Sequence, residues 1–200
     1  MMTNSLGRTM PETIGKYTVR PYQGAEARTD AELPVRTKRT VRRGPAGASK
    51  LLGSLTEALR ACGLRDGMTI SFHHSFREGD LVVGQVMAAI RELGIKDLRF
   101  APSAVVNLTN FSLAEYVEDR TISRVEASGI RGELGDRLID GSIHLDEPVI
   151  LRPHGARPRA IETGELEIDV AFIAASASDA YGNCTGQLGT NVCGSLGYSF

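Results

Sequence analysis

Five short apolar runs recur between residues 68 and 175, each passing into a small polar loop: Met68–Phe72, Leu98–Ala101, Thr121–Ala127, Pro148–Arg152 and Asp169–Ala175. The segments between them carry apolar residues at helical spacing. Strands that alternate with helices are joined by crossovers, and crossovers make neighbouring strands parallel. The pattern predicts an α/β fold: an open parallel sheet flanked by helices on both faces. The fifth run, rich in Val, Phe and Ile, reads as a strand buried on both sides.

The helices have legible ends. Ser49 reads as an N-cap before Leu51, Leu52, Leu55, Ala58, Leu59 and Cys62, with Gly63 as the stop. Asp80 reads as the cap of an amphipathic helix carrying Leu81, Val82, Val86, Met87, Ile90 and Leu93, which stops at Gly94. Shorter helices are expected over Leu113–Val117, around Leu134, Leu138 and Ile139, and around Ala160 and Ile161. Residues 1–48 contain Pro11, Pro21, Pro34 and Pro45 without sustained periodicity, so an extended basic arm is expected ahead of one α/β domain over 49–200.

Charge is uneven. Residues 1–50 hold 10 Lys and Arg against 4 Asp and Glu, or +6, leaving 13 against 20, or −7, for the rest of a chain of net charge −1. A tether to the acidic body is the reading favoured over a nucleic-acid arm, because aromatic interleaving is slight and no nucleic-acid motif follows. No apolar run approaches the roughly 20 residues that cross a bilayer, and the first ten residues lack a secretory core. Cys62, Cys184 and Cys193 form no disulfide framework, so a cytoplasmic location is expected. After Gly186 the chain is glycine-rich and offers no clear final helix, as expected of a piece of a larger architecture.

The carboxyl ends of parallel strands share one edge, and there open α/β sheets hold their ligands. The chain sends His73, His74 and Arg77 to that edge after the first strand, and Ser103 after the second. Ser128, Gly129, Arg131 and Gly132 follow the third strand, and His154, Gly155 and Arg157 the fourth. Asp179, Tyr181, Gly182 and Asn183 follow the fifth. Glycines let a ligand approach the backbone, helix N-termini offer N–H groups to anions, and arginines grip carboxylates in pairs of bonds. Together they describe a pocket for a polyanionic small molecule. Plainer readings stand beside these: solvated first-turn arginines, glycines that serve turn geometry alone, and adjacent histidines that simply end a strand. No third ligand at metal-binding spacing accompanies His73 and His74, so no metal is expected. The chain has neither G-x-G-x-x-G nor G-x-S-x-G.

Ile70-Ser-Phe-His-His-Ser-Phe-Arg77, Ser128-Gly-Ile-Arg-Gly132, His154-Gly-Ala-Arg157, Ile161-Glu-Thr-Gly-Glu-Leu166, and Asp169-Val-Ala-Phe-Ile-Ala-Ala175 with Asp179-Ala-Tyr-Gly-Asn183 closely resemble the alpha chain of citrate lyase. The resemblance runs from about Ile14 to Gly197 and includes Arg20-Pro-Tyr22. Ser75 stands where a third histidine is expected, and Ala156 where a second glycine is expected. The resemblance implies a CoA-transferase-like fold of two similar α/β halves, of which this chain supplies the first. It implies citrate CoA-transferase activity that exchanges acetyl for citryl on a thioester through a mixed anhydride, without a covalent glutamyl-enzyme and with no nucleophile to name. The thioester belongs to the CoA-derived group of an acyl carrier (gamma) subunit, or to CoA, and acts as substrate; no cofactor is bound by this chain.

The same resemblance implies an oligomeric complex with gamma and lyase (beta) subunits. It places the residues following the first, third and fourth strands on citrate, and Asp179, Tyr181, Gly182 and Asn183 on the thioester. A non-catalytic anion-binding module of the same fold is the alternative, which citrate binding without thioester turnover would favour. A sugar-phosphate isomerase is a third reading, which preference for a sugar phosphate over citrate would favour.

Overall fold

The computed structural model describes residues 1–4, 7–21, 47–72, 81–105 and 111–187. The chain divides into two compact units, Met1–Thr37 and Lys38–Phe200. In the first, β1 (Met2–Thr3) pairs antiparallel with β2 (Thr9–Met10), and β3 (Thr13–Ile14) with β4 (Tyr17–Thr18). Gly15, at φ +57°, makes the second turn as only glycine does easily. Two small hairpins therefore stand where an extended segment was expected, because Gly7 and Gly15 supply turns that the prolines do not prevent.

The second unit runs α1 (Leu55–Cys62), β5 (Thr69–Phe72), α2 (Val82–Glu92), β6 (Leu98–Phe100), α3 (Ala114–Glu118), β7 (Ile122–Ala127), α4 (Glu133–Ile139), β8 (Ile150–Leu151), α5 (Ala156–Thr163) and β9 (Val170–Phe172). A hairpin of β10 (Ala177–Ser178) and β11 (Cys184–Thr185) follows. The five strands β5 to β9 form one parallel sheet in the order β8-β7-β6-β5-β9. The chain starts at β5, steps outward to β8, then returns through α5 to the other side of β5. The order reverses between β5 and β9, which is the switch point at which such sheets open a crevice.

α1 begins at Ser54, not Ser49. Ser54 Oγ accepts from Glu57 N–H (3.1 Å), while Glu57 Oε2 accepts from Gly53 N–H (2.9 Å), a near relative of the capping box. Ser49 instead accepts from Leu51 N–H, and Leu51 and Leu52 remain exposed. Gly63 ends the helix in the left-handed conformation, as read from the sequence. α2 has Leu81 at its N-cap with no side-chain bond; Asp80 lies outside the described residues.

The sheet's two faces differ sharply. Residues paired in register share a face. Ile70, Phe72, Leu98, Phe100, Ile122, Val125 and Val170 form one face, buried in the main apolar cluster with Leu59 of α1, Val86 and Ile90 of α2, Tyr116 of α3 and Leu134 of α4. The opposite face carries Thr69, Ser71, Arg99, Arg124 and Glu126. There Ala101, Ala160 and Leu166 make only a small apolar cluster beneath α5. Apolar helices thus cover one face, and charge occupies much of the other. β9 also departs from expectation. Among the described residues it pairs only with β5, and Ala171 and Ile173 are exposed, so it is the edge of the described sheet and not a strand buried on both sides. Among the described residues, no helix is long and apolar enough to cross a membrane.

Candidate functional site at the carboxyl edge

The strand ends are tied together beyond the formal strands. Ser103 N–H donates to Phe72 O (3.1 Å), and Ser128 N–H donates to Ser103 O (3.0 Å). The Ser128 hydroxyl donates to the same Ser103 oxygen at 2.5 Å. Val105 N–H donates to Gly129 O, Arg131 N–H returns a bond to Val105 O, and Val105 bridges Ile130. Ser128, Gly129 and Arg131 are therefore pinned to the extension of β6, with Arg131 exposed. Gly132, at φ +70°, is the N-cap of α4 and has a conformational reason to be glycine. Gly129 and Gly155 differ: neither has a positive φ, and a Cβ at either would meet nothing within 4 Å.

The turn after β8 holds His154 and Gly155, and Arg157 follows in the first turn of α5. Arg157 is 3% exposed. Its Nη2 donates to Ser71 Oγ (2.8 Å) and Ala101 O (2.9 Å), and its Nη1 to Pro102 O (3.3 Å). One guanidinium thus spans from the β8–α5 junction to β6 and β5, across the polar face. Its Nε–H has no partner among the described residues. Burial pulls its pKa below the ordinary arginine value, opposed by the nearby Glu126 carboxylate.

Glu126, only 2% exposed, accepts from Arg152 Nε at 2.5 Å and lies 3.7 Å from Arg99 Nη1. Arg152 Nη1 also donates to Glu165 at 3.0 Å, and Arg152 N–H donates to Ala127 O. Burial opposes the charge on Arg152, but the two carboxylates outweigh it and raise its pKa. None of Glu126, Arg152, Glu165 and Ser71 was singled out from the sequence. The available signal was Arg124 and Glu126 alternating inside β7, positions that must point the same way.

Beyond β9, Asp179 organises the tip of the β10–β11 hairpin. Its Oδ1 accepts from the N–H groups of Tyr181 and Asn183, both at 2.9 Å, and its Oδ2 accepts from Asn183 Nδ2 at 2.7 Å. Gly182, at φ +84°, completes the turn, and Lys50 Cδ would lie 3.3 Å from a Cβ there. Lys50 N–H also donates to Ala180 O (2.7 Å), which draws the segment before α1 onto the hairpin. Tyr181 is 62% exposed.

The Asn183 side-chain amide, followed by its backbone N–H and those of Tyr181 and Gly182, holds the Asp179 carboxyl below the usual range. A lowered folded pKa contributes stability above the unfolded value of about 3.9, and that stability is lost as pH falls through the folded value. Amide protection at Tyr181 and Asn183 is therefore expected to survive acidification through pH ~4 and to disappear only below it. Loss of protection above pH 5, followed by NMR, would contradict the turn's assignment to Asp179.

The predicted residues fall into two groups. Those after β7 and β8 lie two and three strands from β5, roughly 10 and 15 Å by strand spacing. Asp179, Tyr181, Gly182 and Asn183 sit on the separate hairpin that follows β9 in the chain. His73, His74 and Arg77 lie outside the described residues. Arg157 is the side chain that joins the first group to β5.

An open parallel sheet of five strands with helices packed against it makes this unit an α/β domain, with glycine, arginine and histidine at the sheet's carboxyl edge. The family model Citrate lyase, alpha subunit (CitF) matches residues 48–200, and the chain belongs to that family. It is 44% identical over 150 residues to the citrate lyase alpha chain of Haemophilus influenzae and 42% identical over 162 residues to that of Escherichia coli. These alignments cover 75% and 81% of this chain but 29% and 31% of the relatives, so the chain spans about a third of their length. A crystal structure from Streptococcus mutans, described as an alpha subunit of citrate lyase in complex with citrate, superimposes with a TM-score of 0.77 at 38% identity. The match covers 98% of this chain and 37% of that one.

Proposed function

We propose that this chain is the first α/β half, over residues 49–200, of a citrate CoA-transferase of the CoA-transferase-like fold, acting as the alpha chain of citrate lyase. The observation that carries the reading is the set of donors gathered at the carboxyl edge within a family whose solved relative from Streptococcus mutans is described with citrate. Gly129 and Gly155 support it, because neither backbone angle nor crowding asks for glycine there, and a missing side chain lets a ligand reach the backbone. Arg131 and His154 supply charge and hydrogen bonds to citrate; His73, His74 and Arg77 are assigned with them. Asp179, Tyr181, Gly182 and Asn183 form the thioester side.

In the proposed reaction a citrate carboxylate oxygen attacks the acetyl thioester carbonyl. The C–S bond breaks, the thiolate leaves, and a citric–acetic anhydride forms. The thiolate then attacks the citryl carbonyl, acetate departs with the bridging oxygen, and the citryl thioester remains. Such chemistry depends on holding two carboxylates in line and stabilising oxyanions. The thioester arrives on the gamma subunit's CoA-derived arm, the product passes to the beta subunit, and the complex is cytoplasmic.

The test mixes the chain with the downstream two-thirds of a citrate lyase alpha chain, acetyl-CoA and citrate. Citryl-CoA and acetate are expected in equal amounts. No product from a mixture in which both parts are folded and associated would contradict the reading.

A further inference from the structure

We propose that Glu126 is a positioning residue for the turn that carries His154 and Gly155. The assignment rests on the functional reading above, which puts that turn against citrate. Pro153, His154 and Gly155 lie between two arginines anchored in the protein. Arg152 is fixed by Glu126, Glu165 and Ala127 O, and Arg157 by Ser71, Ala101 and Pro102. Glu126 bonds Arg152 directly and lies 3.7 Å from Arg99 Nη1, and its charge favours the buried Arg157 guanidinium, which it does not touch.

Stability alone is a poor account of this carboxylate. A buried ion pair is often no more stabilising than well-packed apolar residues of the same volume. What the carboxylate adds is direction: a fork holding Arg152 by Nε, with Glu165 taking Nη1. Arg152 then enters the turn at a fixed angle, and Arg157 leaves it at another. The turn is clamped at both ends, and Glu126 is the anion that sets the first clamp, at Arg152.

Two measurements test this on the 200-residue chain. In Glu126→Gln, amide hydrogen exchange at residues 154–157 is expected to rise at least tenfold more than at Met87 and Ile90 of α2. Equal acceleration at both places, or none at the turn, would overturn the proposal. Should Glu126→Gln fail to fold, Glu126→Asp keeps the charge but withdraws it by one methylene, and the same selective acceleration is expected.

The second measurement is citrate affinity by calorimetry in a double-mutant cycle with His154→Ala. Glu126→Gln should weaken citrate about tenfold with His154 present and less than twofold in the His154→Ala background. Equal losses in both backgrounds would mean that Glu126 does not act through the turn. Failure of the wild-type chain to bind citrate would count against the functional reading alone, and the exchange measurement would still decide the role of Glu126.

Discussion

Replacing Arg157 with alanine is expected to lower the thermal unfolding midpoint by on the order of 10 °C. The side chain is 3% exposed and donates to Ser71 Oγ, Ala101 O and Pro102 O. Its loss strands acceptors in the interior and leaves a cavity between α5 and the sheet. Deletions of that kind cost roughly 3–5 kcal/mol. Arg157→Lys should recover little, since a single ammonium cannot reproduce a planar fork that reaches two strands at once. Calorimetric melting of both variants checks this. A shift below about 2 °C for alanine would show that the guanidinium is not holding α5 to the polar face.

The second large effect is expected at Phe72, the last residue of β5. It is 1% exposed, stacks on Phe172 of β9 (4.8 Å between centroids, 19° between planes) and leans on Phe100 of β6 (5.5 Å). Phe72→Ala should cost roughly 3–5 kcal/mol, measured as the change in unfolding free energy from urea titration. The loss should also be uneven. Among the described residues β9 has only β5 as a partner, so amides Val170–Phe172 should lose protection before those of β6 and β7. Uniform loss across the sheet would argue against β9 as a separately tethered edge.

The sequence made the strands of the main sheet legible because each is a compact apolar run closed by turn residues, and the crossovers made their direction legible. It misled at the faces. The fifth run suggested a strand buried on both sides, yet Ala171 and Ile173 are exposed, and in β6 and β7 Arg99, Arg124 and Glu126 project from the polar face and find partners that lie 26 to 57 residues away in the chain, among them Glu147, Asp97 O, Gly67 O and Arg152. Sequence spacing carries no trace of such pairings. The start of α1 was misplaced for a local reason: Ser49 and Ser54 both suit a cap, and only Ser54 has Glu57 three residues on. The candidate site was legible as a set of loops at one edge. The interior destination of Arg157 was not legible, because its acceptors Ser71, Ala101 and Pro102 lie 55 to 86 residues away in the chain; the turn built by Asp179 is local, made with Tyr181 and Asn183, where the sequence suggested ligand contact.

The central claim is that a polycarboxylate binds at the carboxyl edge of this sheet. The most direct measurement is a citrate titration of the 15N-labelled chain followed by amide chemical shifts. The account predicts that shifts concentrate at Ser128–Gly132, His154–Arg157 and Asp179–Asn183. The opposite edge should stay still: there Arg124 is bound to Gly67 O and Asp97 O, and Arg120 to Asp97 and Asp146. Shifts concentrated around Gly67, Asp97 and Arg120, or none at saturating citrate, would contradict it.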